Sequence, residues 1–236
     1  MRKDRVIIVV VVFILMIFIG FKYFENDTKT INVDADKFKN EYEALNDKVN
    51  ESNNKKYPEV KISSNNPLKY SSYDEIFEIL KSGTGVIFLG FPECPWCRNL
   101  VPTLMEAAKE SEIKTVYYLN ISEDRNLLIL NDKNEVITQK EGNKNYFKLV
   151  DLLSDVLDDY VLSTADGETV NTNTKRIYLP LVIFVKNGKI VSTHVDTVSS
   201  QEDPYVLLTD RQQEELLIEL INKMSKVNGN ICDESC

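Results

Sequence analysis

Val86-Ile-Phe-Leu-Gly-Phe-Pro-Glu-Cys94-Pro-Trp-Cys97-Arg-Asn-Leu-Val-Pro-Thr-Leu-Met-Glu-Ala-Ala-Lys109 is the stretch on which the fold turns. Its opening apolar run, Val86 to Leu89, reads as a buried strand, and Asn99 to Lys109 reads as an amphipathic helix. Cys94 therefore falls at a helix N-terminus, where unpaired N–H groups and the macrodipole stabilise a thiolate and lower its pKa. Two thiols separated by two residues close a small disulfide ring with little backbone movement. The thiolate is the attacking species in disulfide exchange, so the placement favours redox chemistry over a passive Cys94–Cys97 crosslink.

Working outward, helices and strands alternate. Ser72 caps a predicted helix to Leu80, with the acid Glu75 three residues on and Gly83 and Gly85 ending it. Tyr57 to Ile62 reads as a first strand, and Thr115 to Ile121 as the strand after the Cys94 helix. Ile177 to Val185, Lys186-Asn-Gly-Lys189 and Ile190 to Val195 spell strand, Asn-Gly turn, strand. Thr209-Asp-Arg-Gln212 is a capping box opening a final helix through Ile221 and Met224, stopped by Asn228-Gly-Asn230. This alternation predicts βαβ units, parallel pairing and an α/β class. Between Ser122 and Lys175 the pattern breaks. Asn126 to Leu130 and Glu135 to Ile137 read as a hairpin, Tyr146 to Leu162 as a helix, and Asp166-Gly167 as a turn.

Composition narrows the function classes. The 236 residues suffice for one sizeable domain plus appendages, and four cysteines, at 94, 97, 232 and 236, do not make a disulfide-dense scaffold. Formal net charge is −9 with no basic stripe, which argues against nucleic acid. The single histidine, His194, leaves little for metal sites or Cys-His proteases and reads as a packing or surface residue. No metal or cofactor is expected: a zinc site would need the tail cysteines, whose spacing is wrong. Asp158 and Asp159 read as a solvated face.

Arg2, Lys3 and Arg5 precede an apolar run from Val6 to Ile19. A run of ~16 residues is short for a membrane span, but Tyr23 and Phe24 extend it as interfacial aromatics with Lys22 snorkelling. No small-residue cleavage site follows, which favours an uncleaved anchor over a cleaved signal peptide. Basic residues before the span place the N-terminus inside and the remainder outside the cytoplasm, where disulfides persist. The expected layout is residues 1–24 as signal anchor, 25–56 as a polar spacer with a short helix near Asp36 to Leu45 and some docking, 57–227 as the α/β domain, and 228–236 as a cysteine-containing tail.

The order strand, Cys94-x-x-Cys97, helix, then Leu179-Pro180-Leu181 before an apolar strand, then hairpin and terminal helix, resembles the thioredoxin superfamily. More narrowly, Phe91-Pro-Glu-Cys-Pro-Trp-Cys-Arg98 and Asp196 to Pro204 resemble membrane-anchored thioredoxin-like proteins of Gram-positive bacteria, some labelled bacteriocin-transport accessory proteins. The resemblance implies a three-layer sandwich, a mixed sheet flanked by helices, with residues 122–175 as a hairpin-plus-helix insertion. It implies Cys94 as an exposed nucleophile, Cys97 as the resolving thiol and Pro180 as a cis-proline facing them. Phe91, Trp96 and Leu179 would line the substrate. Two departures stand out. Phe88 occupies the position of the family's buried acid, and Pro95-Trp96 replaces Gly-Pro. Glu93, if close to Cys94, would oppose the helix dipole.

The residues and the resemblance together lead to an extracytoplasmic, membrane-anchored thiol–disulfide oxidoreductase. Its expected partners are protein thiols and disulfides and an extracytoplasmic redox partner. The alternative is a thioredoxin-like accessory or binding module with little redox turnover, and a third reading is a tethered domain with a fixed disulfide. Cys232 and Cys236 read as a local surface disulfide or, alternatively, as a pair exchanging with Cys94.

Overall fold

Val86 to Leu89 are fully buried. Neighbouring strand residues point to opposite faces, so a run buried at every position needs cover on both sides. The computed structural model, which describes residues 33–229, provides it. The described chain opens with α1 (Val33–Glu43), a ribbon of β1 (Val49–Asn50) and β2 (Lys55–Lys56), then β3 (Leu68–Tyr70), α2 (Tyr73–Ser82), β4 (Gly85–Gly90), α3 (Pro95–Glu110) and β5 (Val116–Asn120). There follow β6 (Leu127–Leu130), β7 (Val136–Lys140), α4 (Lys144–Leu152), a 3-10 turn, β8 (Asp159–Ser163) and β9 (Thr169–Lys175). β10 (Leu181–Lys186), β11 (Lys189–Val195) and α5 (Asp210–Asn228) complete it.

The main sheet has five strands in the order β11-β10-β4-β5-β3. β3, β4 and β5 run parallel, and β10 pairs antiparallel with both β4 and β11, so the fold is mixed α/β. The Asn-Gly hairpin forms as expected, with Asn187 at φ 50 and Gly188 at φ 72. Both positive values suit a turn matched to strand twist. A side chain at Gly188 would also strike the Lys81 carbonyl at 2.4 Å, because the turn is seated on the end of α2. Ser72 caps α2 and Thr209 opens α5 with a reciprocal capping box.

Residues 25–56 were expected to be largely spacer, yet the described part, from Val33, belongs to the domain. α1 looks polar in sequence, but Phe38 and Tyr42 are fully buried in the core. Their rings meet at 4.3 Å, and Phe38 also sits edge-on to Tyr118 at 4.9 Å, while Phe88 stacks on Tyr118 at 5.3 Å. Tyr118 is the register partner of Phe88 across β4 and β5. Two aromatic side chains one helical turn apart thus cover one face of the sheet, and the remaining charged residues of α1 stay outside.

Tyr57 to Ile62 is not a strand. Its Tyr57 N–H donates to the Lys48 carbonyl at 2.9 Å, and from Pro58 onward its bonded backbone groups meet side chains rather than a neighbouring strand. Asn46 donates to the Val60 carbonyl at 2.8 Å and accepts from its N–H at 2.9 Å. Glu43 accepts from the Ile62 N–H at 2.7 Å, and Lys39 donates to the Ile62 carbonyl at 2.9 Å. The expected helix from Tyr146 to Leu162 is also shorter, ending at Leu152; Tyr160 lies on β8, paired with β9. Leu157 and Tyr160 fit either periodicity over so short a run. The partner strand, Thr-Val-Asn-Thr-Asn-Thr-Lys175, carries no apolar alternation that would reveal it. The insertion therefore holds two hairpins and one helix. The strand expected from Ile177 is β10, which begins at Leu181, so Ile177 to Pro180 precede it. The proposed anchor, residues 1–24, lies outside the described residues. Among the described residues no helix is long and apolar enough to cross a membrane.

Arg98 joins these parts. It is fully buried, and its guanidinium donates to the carbonyls of Pro58 and Tyr42 at 2.7 Å, to that of Pro92 at 3.4 Å and to Asn46 Oδ1 at 2.7 Å. Replacing Arg98 by Leu orphans these buried acceptors and should cost roughly 3 kcal/mol, read as a lower midpoint in urea unfolding. Phe38→Ala should cost a similar ~3 kcal/mol through the cavity left against Tyr118. An unchanged midpoint in both would mean that the segment before β3 does not stabilise the domain.

Candidate active site

β4 ends at Gly90, and the chain turns through Phe91-Pro-Glu93 into α3, with Cys94 as N-cap and Pro95 at the first helical position. Proline suits that position because its missing N–H is unused there. The Cys94 N–H is held by the Phe91 carbonyl at 3.2 Å. The Cys97 N–H donates to Cys94 Sγ at 3.3 Å, so sulfur takes the place of the usual capping oxygen. The Leu179–Pro180 bond is cis, and the Leu179 carbonyl oxygen lies 3.9 Å from Cys94 Sγ. The structure thus brings together Cys94, Cys97 and the Leu179-Pro180 pair, which lie far apart in sequence.

The two thiols differ in environment. Burial raises Cys94, but the Cys97 thiol, the Cys97 N–H, the Arg125 charge and the Trp96 N–H outweigh it, leaving its pKa below that of an ordinary thiol. Burial and the adjacent Cys94 push Cys97 well up. One thiol is poised to ionise and the other to stay protonated.

Cys94 is only 6% exposed, where an exposed nucleophile was expected. The neighbouring Trp96 and Phe91 are half-buried against the core. Phe91 presents less open rim than expected, because the Arg125 guanidinium lies over its ring at 5.1 Å. Gly90 lies against Cys97, and a Cβ there would meet the Phe88 ring at 2.7 Å and Cys97 Sγ at 3.0 Å. Phe88 and the Cys97 thiol thus both pack against Gly90. Glu93 is exposed; its charge acts on Tyr57 and Arg98.

Arg125 was missed from sequence. It sits at the start of the insertion, after β5, and no motif marks it. Glu123 and Asp124 beside it suggest an unremarkable charged loop. Both acids are committed elsewhere, Glu123 to Lys140 at 3.0 Å and Asp124 to the Tyr73 hydroxyl at 3.0 Å and to Asn143.

His194 lies on β11, paired with Val182 of β10. It is buried against α5, with Nδ1 3.0 Å from Glu219 Oε1 and 3.3 Å from Lys223 Nζ. Among the described residues no group of three or more His, Cys, Asp or Glu side chains is arranged to hold a metal ion. Cys232 and Cys236 lie outside the described residues. α5, which leads to them, ends at the far end of α3: Asn228 donates to the carbonyl of Ser111, the C-cap, at 2.6 Å.

No protein-family model matches the chain, and no curated protein matches it.

The thiol asymmetry gives a pH test. Ionisation of Cys94 rises as pH passes upward through its lowered pKa, so iodoacetamide labelling of the reduced protein should be half-maximal below the ordinary thiol value of ~8.5. Arg125→Gln removes a cation that favours the thiolate. Its midpoint should move upward and its labelling at neutral pH should slow severalfold. An unmoved midpoint would show that Arg125 does not act on the thiol. Gly90→Ala should cost about 1–3 kcal/mol in urea unfolding by overpacking Phe88 and Cys97.

Proposed function

We propose that this protein is a thioredoxin-like thiol–disulfide oxidoreductase that works on protein disulfides outside the cytoplasm, tethered by its N-terminal apolar segment. The observation that carries the reading is the helix-capping Cys94. Its sulfur accepts the Cys97 N–H at 3.3 Å and faces the Leu179 carbonyl at 3.9 Å. A nucleophile, a resolving thiol and a wall of backbone beside proline are what thiol–disulfide exchange with an extended peptide needs. The five-strand mixed sheet with helices is compatible with the thioredoxin-like class.

In the reducing direction the Cys94 thiolate attacks one sulfur of a substrate disulfide. A Cys94–substrate disulfide forms, and the other substrate sulfur leaves as a thiolate that takes a proton from solvent. Cys97 then gives up its proton and attacks Cys94 Sγ, which releases the second substrate thiolate. The products are a Cys94–Cys97 disulfide and two substrate thiols, with two electrons moved to the substrate. The oxidising direction is the reverse. The raised pKa of Cys97 keeps it protonated until the mixed disulfide removes the negative charge from Cys94.

A second reading, a docking module with little turnover, draws support from the insertion, where Leu127, Ile137, Phe147, Leu152 and Val161 are exposed. Disulfide reduction separates the two. With dithiothreitol as donor and insulin as substrate, the soluble domain should reduce disulfides and Cys94→Ala should lose at least ~10³-fold of the rate. Cys97→Ser should instead accumulate a mixed disulfide visible by mass spectrometry. Turnover that survives Cys94→Ala would remove the nucleophile assignment, and no turnover in the parent would favour docking.

A further inference from the structure

Two neighbouring guanidinium groups, one of them beside the dithiol, have no carboxylate partner among the described residues. Arg125 lies over Phe91, whose carbonyl holds the Cys94 N–H. Its Nε is buried and has no hydrogen-bond partner. Arg176 lies over the Tyr160 ring at 3.9 Å and near Tyr178 at 5.7 Å, three residues before the Leu179 carbonyl that faces Cys94. Among the described residues neither arginine forms an ion pair, although the chain carries 37 acidic residues against 28 basic ones. The nearby acids are engaged elsewhere: Glu123 with Lys140, Asp124 with Tyr73 and Asn143, Asp159 with Lys175 and Asn171.

We propose that Arg125, with Arg176 beside it, selects substrates that carry an acidic side chain next to the cysteine attacked by Cys94. This rests on the redox reading above. A half-buried guanidinium with an unused buried donor gains most from a carboxylate, which accepts two parallel N–H bonds. The stacked rings of Phe91, Tyr160 and Tyr178 hold both groups in place before binding, so little rotamer entropy remains to be lost. Arg176 also opposes the charge of Arg125, and that repulsion is relieved when an anion lies between them. The site is assembled by the insertion: Asp124 ties the Arg125 loop to α2 through Tyr73 and to the start of α4 through Asn143. The chain's own Cys232-Asp-Glu-Ser-Cys236 has this chemistry in its sequence.

The test uses four short peptides. Three carry one cysteine as its 2-pyridyl disulfide and differ only in the neighbouring residue, Glu, Gln or Lys. The fourth is the oxidised Cys232–Cys236 segment. Release of 2-thiopyridone, or of free thiol for the fourth, reports the second-order rate with reduced protein. The Glu peptide should react about tenfold faster than the Gln peptide, the size expected of one charge-assisted pair, and the Lys peptide slowest. The order should flatten at high salt. Arg125→Gln should bring the Glu/Gln ratio near one, while Arg125→Lys retains part of it. The ratio cancels the change in Cys94 ionisation common to all peptides. The tail segment should outpace a Cys-Asn-Gln-Ser-Cys control. A Glu/Gln ratio of one in the parent, or a ratio kept in Arg125→Gln, overturns the proposal. Binding of unreactive Ser-for-Cys peptides to the Cys94→Ser protein, read by fluorescence anisotropy, repeats the comparison without chemistry. If no peptide reacts but the Glu peptide still binds more tightly than the Gln peptide, the redox reading fails and the acid preference stands; equal binding there overturns the preference too.

Discussion

The buried guanidinium of Arg98 is the interaction on which the rest of this domain depends. Arg98 follows Cys97 directly, and its donors reach Tyr42, Asn46, Pro58 and Pro92. One side chain therefore ties together the motif helix, the turn before it, α1 and the extended segment after it. Burying a charge is costly unless its donors find acceptors, and here three carbonyls and an amide oxygen take four of the five guanidinium N–H groups. Because the acceptors come from separate stretches of chain, the docked N-terminal segment and the position of α3 are set by the same network. Cys94 caps the start of that helix, so its geometry is inherited from this arrangement.

The core behind the thiols is aromatic. Phe88, Tyr118, Phe38 and Tyr42 pack edge-on and stacked around the end of β4. The hydroxyls of Tyr42 and Tyr118 are buried and interact with each other, and burial raises both well above the usual tyrosine range. Such an environment raises Cys97 and keeps it protonated. Arg125 and the N-terminus of α3 act in the other direction on Cys94. The two thiols, three residues apart, are separated chemically by which side of this boundary each one occupies.

The insertion adds what the sheet alone lacks. It carries Arg125 to the dithiol and leaves several apolar side chains uncovered. A loop region that presents both charge and apolar surface beside a reactive group is suited to choosing among partners, while the sheet holds the chemistry fixed.

The sequence alone determined the elements with strong periodicity or explicit punctuation. These are the strand before Cys94, the helix after it, the Ser72 and Thr209 caps, the Asn187-Gly188 turn and the α/β class. Each is a local matter of hydrogen-bond capping, φ preference or a run of apolar residues. It also singled out Cys94, Cys97, Leu179 and Pro180. What it did not reveal depends on partners distant in sequence. Two buried rings do not make α1 look like core until Tyr118 and Phe88 lie beneath them. Tyr57 to Ile62 is strand-like in composition but finds side-chain partners first. β9 has no pattern apart from β8. Arg125 is an ordinary loop cation until the fold sets it over Phe91 beside the thiols and commits its neighbouring acids elsewhere. Local chemistry could be read from the order of residues; burial, pairing and electrostatic company came only with tertiary structure, because each is a property of neighbours in space.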